Sequence, residues 1–145
     1  VPIDRSGGKA SEAALTTGLR ILGKGELLAL YPEGTRSHDG KLYRGRTGAA
    51  RMALHAEVPV IPVAMIGTFE AQPTGQIKPQ LRRIGVRIGK QIDFSRYYGM
   101  AEDRFVLRSA TDEMMYDLMQ LSGQTYQDMY ATAAKQQARE AAAGA

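Results

Sequence analysis

The chain has 145 residues, 43% of them apolar, a formal net charge of +4 and no cysteine. That size and apolar content suffice for one domain with a real core, while the missing cysteine excludes a disulfide scaffold and thiolate chemistry. The two histidines, His38 and His55, cannot assemble a typical zinc site by themselves, and no apolar run reaches the roughly eighteen residues of a membrane-spanning helix, so no metal is expected and any membrane contact should be peripheral.

Val1-Pro-Ile-Asp-Arg5 reads as the end of a strand running into a loop with nothing leading in, which suggests a chain truncated at its start. From Ser11 to Leu22, Leu15, Leu19 and Leu22 recur at helical spacing, with Gly23 and Gly25 available to end the helix. Glu26-Leu-Leu-Ala-Leu-Tyr31 is a near-continuous apolar run stopped by Pro32, the pattern of a strand buried on both faces in a parallel sheet. The Ala-rich stretch from Thr47 to Ala56 reads as a second helix. Val58 to Ile66 follows as a further buried strand, in which Pro59 and Pro62 set the strand start and a bulge.

Gln72-Pro-Thr-Gly75 is a turn, and Ile84, Val86 and Ile88 alternate with Gly85 and Arg87 along a strand expected near a sheet edge. Glu102 to Leu121 places Val106, Ala110, Met114, Leu118 and Leu121 on one helical stripe ended by Gly123, and Met114, Met115 and Met119 are assigned to core packing. The tail of residues 123–145 is Ala- and Gln-rich, helical or frayed, and is set apart from a domain covering residues 1–122. Strands alternating with helices argue for an α/β layer structure, a mixed and mostly parallel sheet flanked by helices.

Charge is unevenly placed. Arg36, Lys41, Arg44, Arg46 and Arg51 face Asp39 alone, and Lys78, Arg82, Arg83, Arg87, Lys90 and Arg96 face only Asp93, whereas from Glu102 onward acids outnumber bases. Anionic partners should therefore meet the middle of the chain. No aromatic residues interleave with these basic stretches in a stacking pattern, which argues against nucleic acid.

Tyr31-Pro-Glu-Gly-Thr-Arg-Ser37 leaves the predicted strand with the parts of an anion site: a glycine for close backbone approach, a hydroxyl, and a guanidinium with forked donors. Glu33 would repel an anion, so it should accept a hydroxyl or backbone donor, or pair with Arg36 or Arg5. Pro-Glu-Gly is also ordinary turn chemistry, and spacing alone does not separate the two readings. Ser37-His-Asp-Gly40 has the composition of a solvated turn. His55, at a helix end, should contact the last carbonyls.

The blocks occur in an order that resembles the phospholipid and glycerol acyltransferase family, which contains the bacterial 1-acyl-sn-glycerol-3-phosphate acyltransferases. Val1-Pro-Ile-Asp-Arg5 resembles the family's strand closing on arginine, Tyr31 to Ser37 its Phe-Pro-Glu-Gly-Thr-Arg-Ser block, and Val58 to Val63 its Val-Pro-Ile-Val-Pro-Val block. Leu42 to Arg51 resembles its basic segment leading into a helix. The resemblance runs from Val1 to about Thr68 and implies a glycerol-3-phosphate acyltransferase-like fold whose N-terminal part is missing here.

The resemblance further implies that Arg5 and Arg36 bind the acceptor phosphate and that Glu33 and Gly34 shape the acceptor pocket. Thr35 is expected to point with Arg36 from the strand end into the same crevice, and Arg44 and Arg46 either reach a phosphate or head group or form a solvated basic loop. The family's His-x4-Asp block, a general base with its orienting carboxylate, is absent: Tyr43 follows His38 by five positions and Val60 follows His55. The expected activity is transfer of a fatty acyl group to 1-acyl-glycerol-3-phosphate. No cofactor is expected, the cosubstrate being an acyl-CoA or acyl carrier protein thioester, and the location is peripheral, on the cytoplasmic face of the membrane. A non-catalytic module binding anionic lipid or phosphate is the alternative.

Overall fold

A computed structural model describes residues 9–144 of the chain. Helix α1 (Lys9–Leu22) is followed by an extended segment, the short strand β1 (Leu42–Tyr43), helix α2 (Gly48–Ala56), strand β2 (Val63–Ile66) and the single turn α3 (Thr68–Ala71). Strand β3 (Gly85–Ile88), the long helix α4 (Arg104–Ser122), strand β4 (Tyr126–Gln127) and helix α5 (Ala131–Ala143) complete it. Among the described residues no helix is long and apolar enough to cross a membrane.

The α/β class holds, but the pairing differs from the expected sheet. β1 pairs in parallel with β4, Leu42 opposite Tyr126, while β2 pairs antiparallel with β3, Val63 opposite Ile88. The antiparallel ribbon is interrupted where Pro62 stands. Beyond that break Val60 and Ile92 exchange both backbone hydrogen bonds, at 3.1 and 2.8 Å. Proline supplies no N–H to a ladder, so the interruption falls where the sequence has least to donate.

The run Glu26–Tyr31 is a correction. It joins no ladder among the described residues, and Leu27 and Tyr31 are 97% and 82% exposed. An apolar run specifies a segment that burial would favour, but a strand also needs a neighbour, and hydropathy does not name one. Leu28 alone turns inward, toward the crossing of α1 and α2, where a Cβ on Gly18 would lie 2.7 Å from Met52 Sδ and 3.1 Å from Leu28 Cδ2.

The main core joins α2 to α4. Ala50 and Leu54 from α2 and Leu107, Ala110 and Met114 from α4 close over Ile92 and Phe94, and Phe94 is completely buried. α4 starts cleanly because Asp103 caps it, its Oδ1 accepting the Phe105 and Val106 N–H groups at 2.8 and 3.2 Å, and it stops at Gly123 with φ +73°. Met114 and Met115 are buried as assigned, Met115 against Gly45.

A second cluster holds Tyr43 with Ala131 and Ala134 of α5. The tail packs around β1: β4 supplies the ladder partner, and two small side chains let α5 lie close to the tyrosine.

Candidate functional site

The Tyr31–Ser37 loop turns at Gly34, whose N–H donates to the Tyr31 carbonyl at 3.0 Å and whose φ is +72°. Glycine is required here twice over. The left-handed backbone penalises a Cβ, and one built at Gly34 would stand 3.2 Å from Cδ and Nε of Arg46. The Arg46 N–H in turn donates to the Pro32 carbonyl at 2.8 Å, so the basic segment is laced to the loop by backbone as well as side chain.

Glu33 turns away from the loop's outer side. Of the partners open to it, the structure shows a backbone donor: its Oε2 accepts the Tyr43 N–H at 2.8 Å. Burial raises the Glu33 pKa above the ordinary carboxylate value, while that hydrogen bond and the nearby Lys135 charge pull the other way and Asp39 adds to the rise. Thr35 Oγ1 accepts a hydrogen bond from Lys135 Nζ at 2.8 Å. Arg36 is exposed and makes no ion pair among the described residues. Arg5 lies outside the described residues.

The next turn is built on Asp39 and is less solvated than its composition suggests. Its carboxylate accepts from Ser37 Oγ at 3.1 Å, the Lys41 N–H at 3.2 Å and Tyr43 Oη at 3.1 Å, with the Lys41 ammonium also at 3.2 Å. Burial alone would raise the Asp39 pKa, but these donors outweigh it and hold the group at about 2. The same contact, with burial as the larger cause, pushes the Tyr43 hydroxyl up to about 12. His38 is half-buried with its ring 5.7 Å from the Tyr43 ring and Nδ1 3.5 Å from Tyr43 Oη, packed on the phenol with no carboxylate bonded to it among the described residues.

Arg44 and Arg46 face the tail. Both guanidinium groups lie over the Tyr130 ring, 5.7 and 5.2 Å from its centre, Arg44 approaches Asp128 at 3.7 Å, and Arg46 Nη2 donates to Thr132 Oγ1 at 3.4 Å. Arg44 Nε is buried and has no partner among the described residues. On the other side Thr74 Oγ1 donates to the Ser37 carbonyl at 2.7 Å.

The structure thus gathers Glu33, Gly34, Thr35, Arg44 and Arg46 and adds four residues that sequence reasoning did not single out: Tyr43, Thr74, Tyr130 and Lys135. The signal for Lys135 was its spacing, four residues before Arg139 on an Ala- and Gln-rich helix whose one acid is Glu140. His55 belongs elsewhere: its Nε2 meets Glu102 Oε1 at 2.9 Å, so a carboxylate arriving before α4, not the carbonyls of its own helix, is its partner.

The sequence model of the acyltransferase family matches residues 1–66. The matched segment contains the whole Tyr31–Ser37 loop, Arg44, Arg46 and β2, and it ends before β3, α4 and α5. Over 75 residues the chain is 36% identical to the chloroplast 1-acyl-sn-glycerol-3-phosphate acyltransferase of Brassica napus, a match covering 52% of this chain and 22% of that protein. Over 67 residues it is 32% identical to the probable 1-acyl-sn-glycerol-3-phosphate acyltransferase of Mycoplasma pneumoniae, covering 46% of this chain and 25% of that one.

The acyltransferase fold extends further than the sequence match. The crystal structure of the 1-acyl-sn-glycerophosphate acyltransferase PlsC from Thermotoga maritima superposes with a TM-score of 0.54 at 28% identity, over 70% of this chain and 44% of that one.

Proposed function

We propose that the protein carrying this chain transfers a fatty acyl group from an acyl thioester to the free hydroxyl of 1-acyl-glycerol-3-phosphate in phospholipid synthesis, and that this chain forms the part that holds the acceptor phosphate. The observation that carries the reading is the loop itself. Glu33 is turned inward onto the Tyr43 N–H, so the carboxylate that would repel a phosphate is engaged, and Arg36 stands exposed beyond a left-handed glycine. The same Pro-Glu-Gly-Thr-Arg block lies in the family-matched residues.

In this reading the acceptor hydroxyl oxygen bonds to the thioester carbonyl carbon, the carbon–sulfur bond breaks, and the hydroxyl proton ends on the departing thiolate. Arg36 and Arg5 grip the phosphate and Thr35 orients the loop. The general base is a histidine of a His-x4-Asp block that this sequence does not contain. The donor is acyl-CoA or an acylated carrier protein. A lipid acceptor and the basic blocks favour a peripheral position at the membrane, on the cytoplasmic face where acyl thioesters are made.

The test is steady-state acyl transfer by a protein that joins this chain to a His-x4-Asp block, with and without Arg36→Ala. Loss of a charged hydrogen bond of roughly 1.5–3 kcal/mol should raise the KM for 1-acyl-glycerol-3-phosphate about ten- to hundredfold with little change in kcat or in the donor KM. An unchanged acceptor KM would remove Arg36 from the phosphate site.

A further inference from the structure

Helix α5 borders the proposed acceptor loop, outside the residues that match the family. Beside that loop, between α5 and the residues His38 and Thr74, is a cleft of about 230 Å³, its helix wall made by Lys135, Ala138, Arg139 and Ala142. That space admits a phosphate with a few attached atoms. Four of the lining residues fall at i, i+3, i+4 and i+7 of α5, so one face of the helix forms the wall, cations one turn apart with alanines between them.

Among the described residues no carboxylate enters the cleft to meet the charge of that wall. Like charges one turn apart repel, yet among the described residues neither Lys135 nor Arg139 has an ion-pair partner. Lys135 spends one donor on Thr35 Oγ1 at 2.8 Å, which leaves two for a guest. The opposite wall is fixed by Thr74, whose hydroxyl donates to the Ser37 carbonyl at 2.7 Å. Glu33, the carboxylate that acts on Lys135, is held on the Tyr43 N–H.

We propose that the cleft between α5 and the residues His38 and Thr74, next to the Tyr31–Ser37 loop, is an anion subsite for a phosphomonoester, gripped by Lys135 and Arg139. It deepens the acceptor reading and rests on it only for the origin of the phosphate: a lipid headgroup and a small soluble phosphate present the same tetrahedral anion. Lys135 is then shared between guest and loop, so binding in the cleft stiffens Thr35 beside Arg36.

The experiment titrates the 145-residue chain with inorganic phosphate and with sn-glycerol 3-phosphate, followed by calorimetry and by amide chemical shifts. The variants are Lys135→Met with Arg139→Gln, Lys135→Arg alone, and Arg36→Ala. Methionine and glutamine are good helix formers, so far-UV circular dichroism should be unchanged; Arg139→Gln alone repeats the test if the double variant unfolds. Affinity should fall about tenfold or more in the double variant, stay within about threefold for Lys135→Arg, and shift amides at Thr35 and in α5.

Tighter binding of glycerol 3-phosphate than of phosphate identifies a lipid headgroup as the guest, and equal affinity identifies free phosphate; both support the subsite. Unchanged affinity in the double variant, or no saturable binding by the wild-type chain, overturns it. If Arg36→Ala alone weakens binding, the subsite is wrong and the acceptor loop stands. If only the α5 variants do, the subsite stands and the role given to Arg36 falls.

Discussion

Gly34 offers a measurement that isolates how the basic segment supports the loop, because a second glycine serves as its control. Gly25 has φ +74° with nothing within 4 Å of where a Cβ would stand, and Gly34 has φ +72° with Arg46 Cδ and Nε at 3.2 Å. Alanine at either position pays the left-handed cost of about 1–2 kcal/mol and recovers about 0.4–1 kcal/mol from a less flexible unfolded chain, so Gly25→Ala should destabilise by roughly 1 kcal/mol.

Gly34→Ala must in addition displace Arg46. That weakens the guanidinium contact with the Tyr130 ring, worth about 0.5–1 kcal/mol, and the long hydrogen bond to Thr132, at the low end of about 0.5–1.5 kcal/mol. The difference between the two variants should therefore be about 1 kcal/mol. Urea unfolding measures it as a shift in midpoint at constant slope. In an Arg46→Ala background the excess should vanish. Equal costs for the two glycines, within about 0.3 kcal/mol, would refute the claim that Arg46 braces the loop through Gly34.

Two further expectations concern stability. Phe94→Ala should cost about 3–5 kcal/mol, since the ring is completely buried between α2 and α4; a loss below about 1 kcal/mol in chemical unfolding would mean the core closes without it. The Asp39–Tyr43 contact should bound stability at both ends of the pH scale. Asp39 is depressed from 3.8 to about 2, so its contribution is present above about pH 4 and is lost as pH falls through about 2. Tyr43 is raised from 10.0 to about 12, so its share is present below pH 10 and is lost as pH rises through about 12. Tyr43→Phe should flatten the alkaline limb and bring the ionisation of Asp39 back toward the ordinary range; a phenolate absorbance curve with no tyrosine titrating late would contradict the assignment.

Helices were legible in the sequence because their instructions are local. The Leu15, Leu19, Leu22 spacing ahead of Gly23 and the Val106 to Leu121 stripe ahead of Gly123 carry both period and stop signal within a few residues, and the Ala-rich stretch from Thr47 carries helix propensity. Strand pairing was not, because a ladder joins residues whose hydropathy says nothing of each other. Glu26–Tyr31 has the composition of an interior strand and no partner among the described residues, whereas Leu42–Tyr43, too short to register as a pattern, gains one from Tyr126 and Gln127.

The site divides along the same line. That Gly34 turns the chain and that Glu33 takes a donor or a cation followed from chemistry within one loop, a glycine after a proline and a carboxylate beside an expected anion. Which donor Glu33 would take did not, since the Tyr43 N–H lies ten residues on and is brought up by the return of the chain through β1. Lys135 lies a hundred residues from Thr35, and nothing in an Ala- and Gln-rich tail says that it will fold back. Its arrival depends on Ala131 and Ala134, small enough to let α5 settle on Tyr43. Tyr43 is thus the hinge of the arrangement: its N–H holds Glu33, its hydroxyl holds Asp39, and its ring is the surface on which the tail helix brings its cations to the loop.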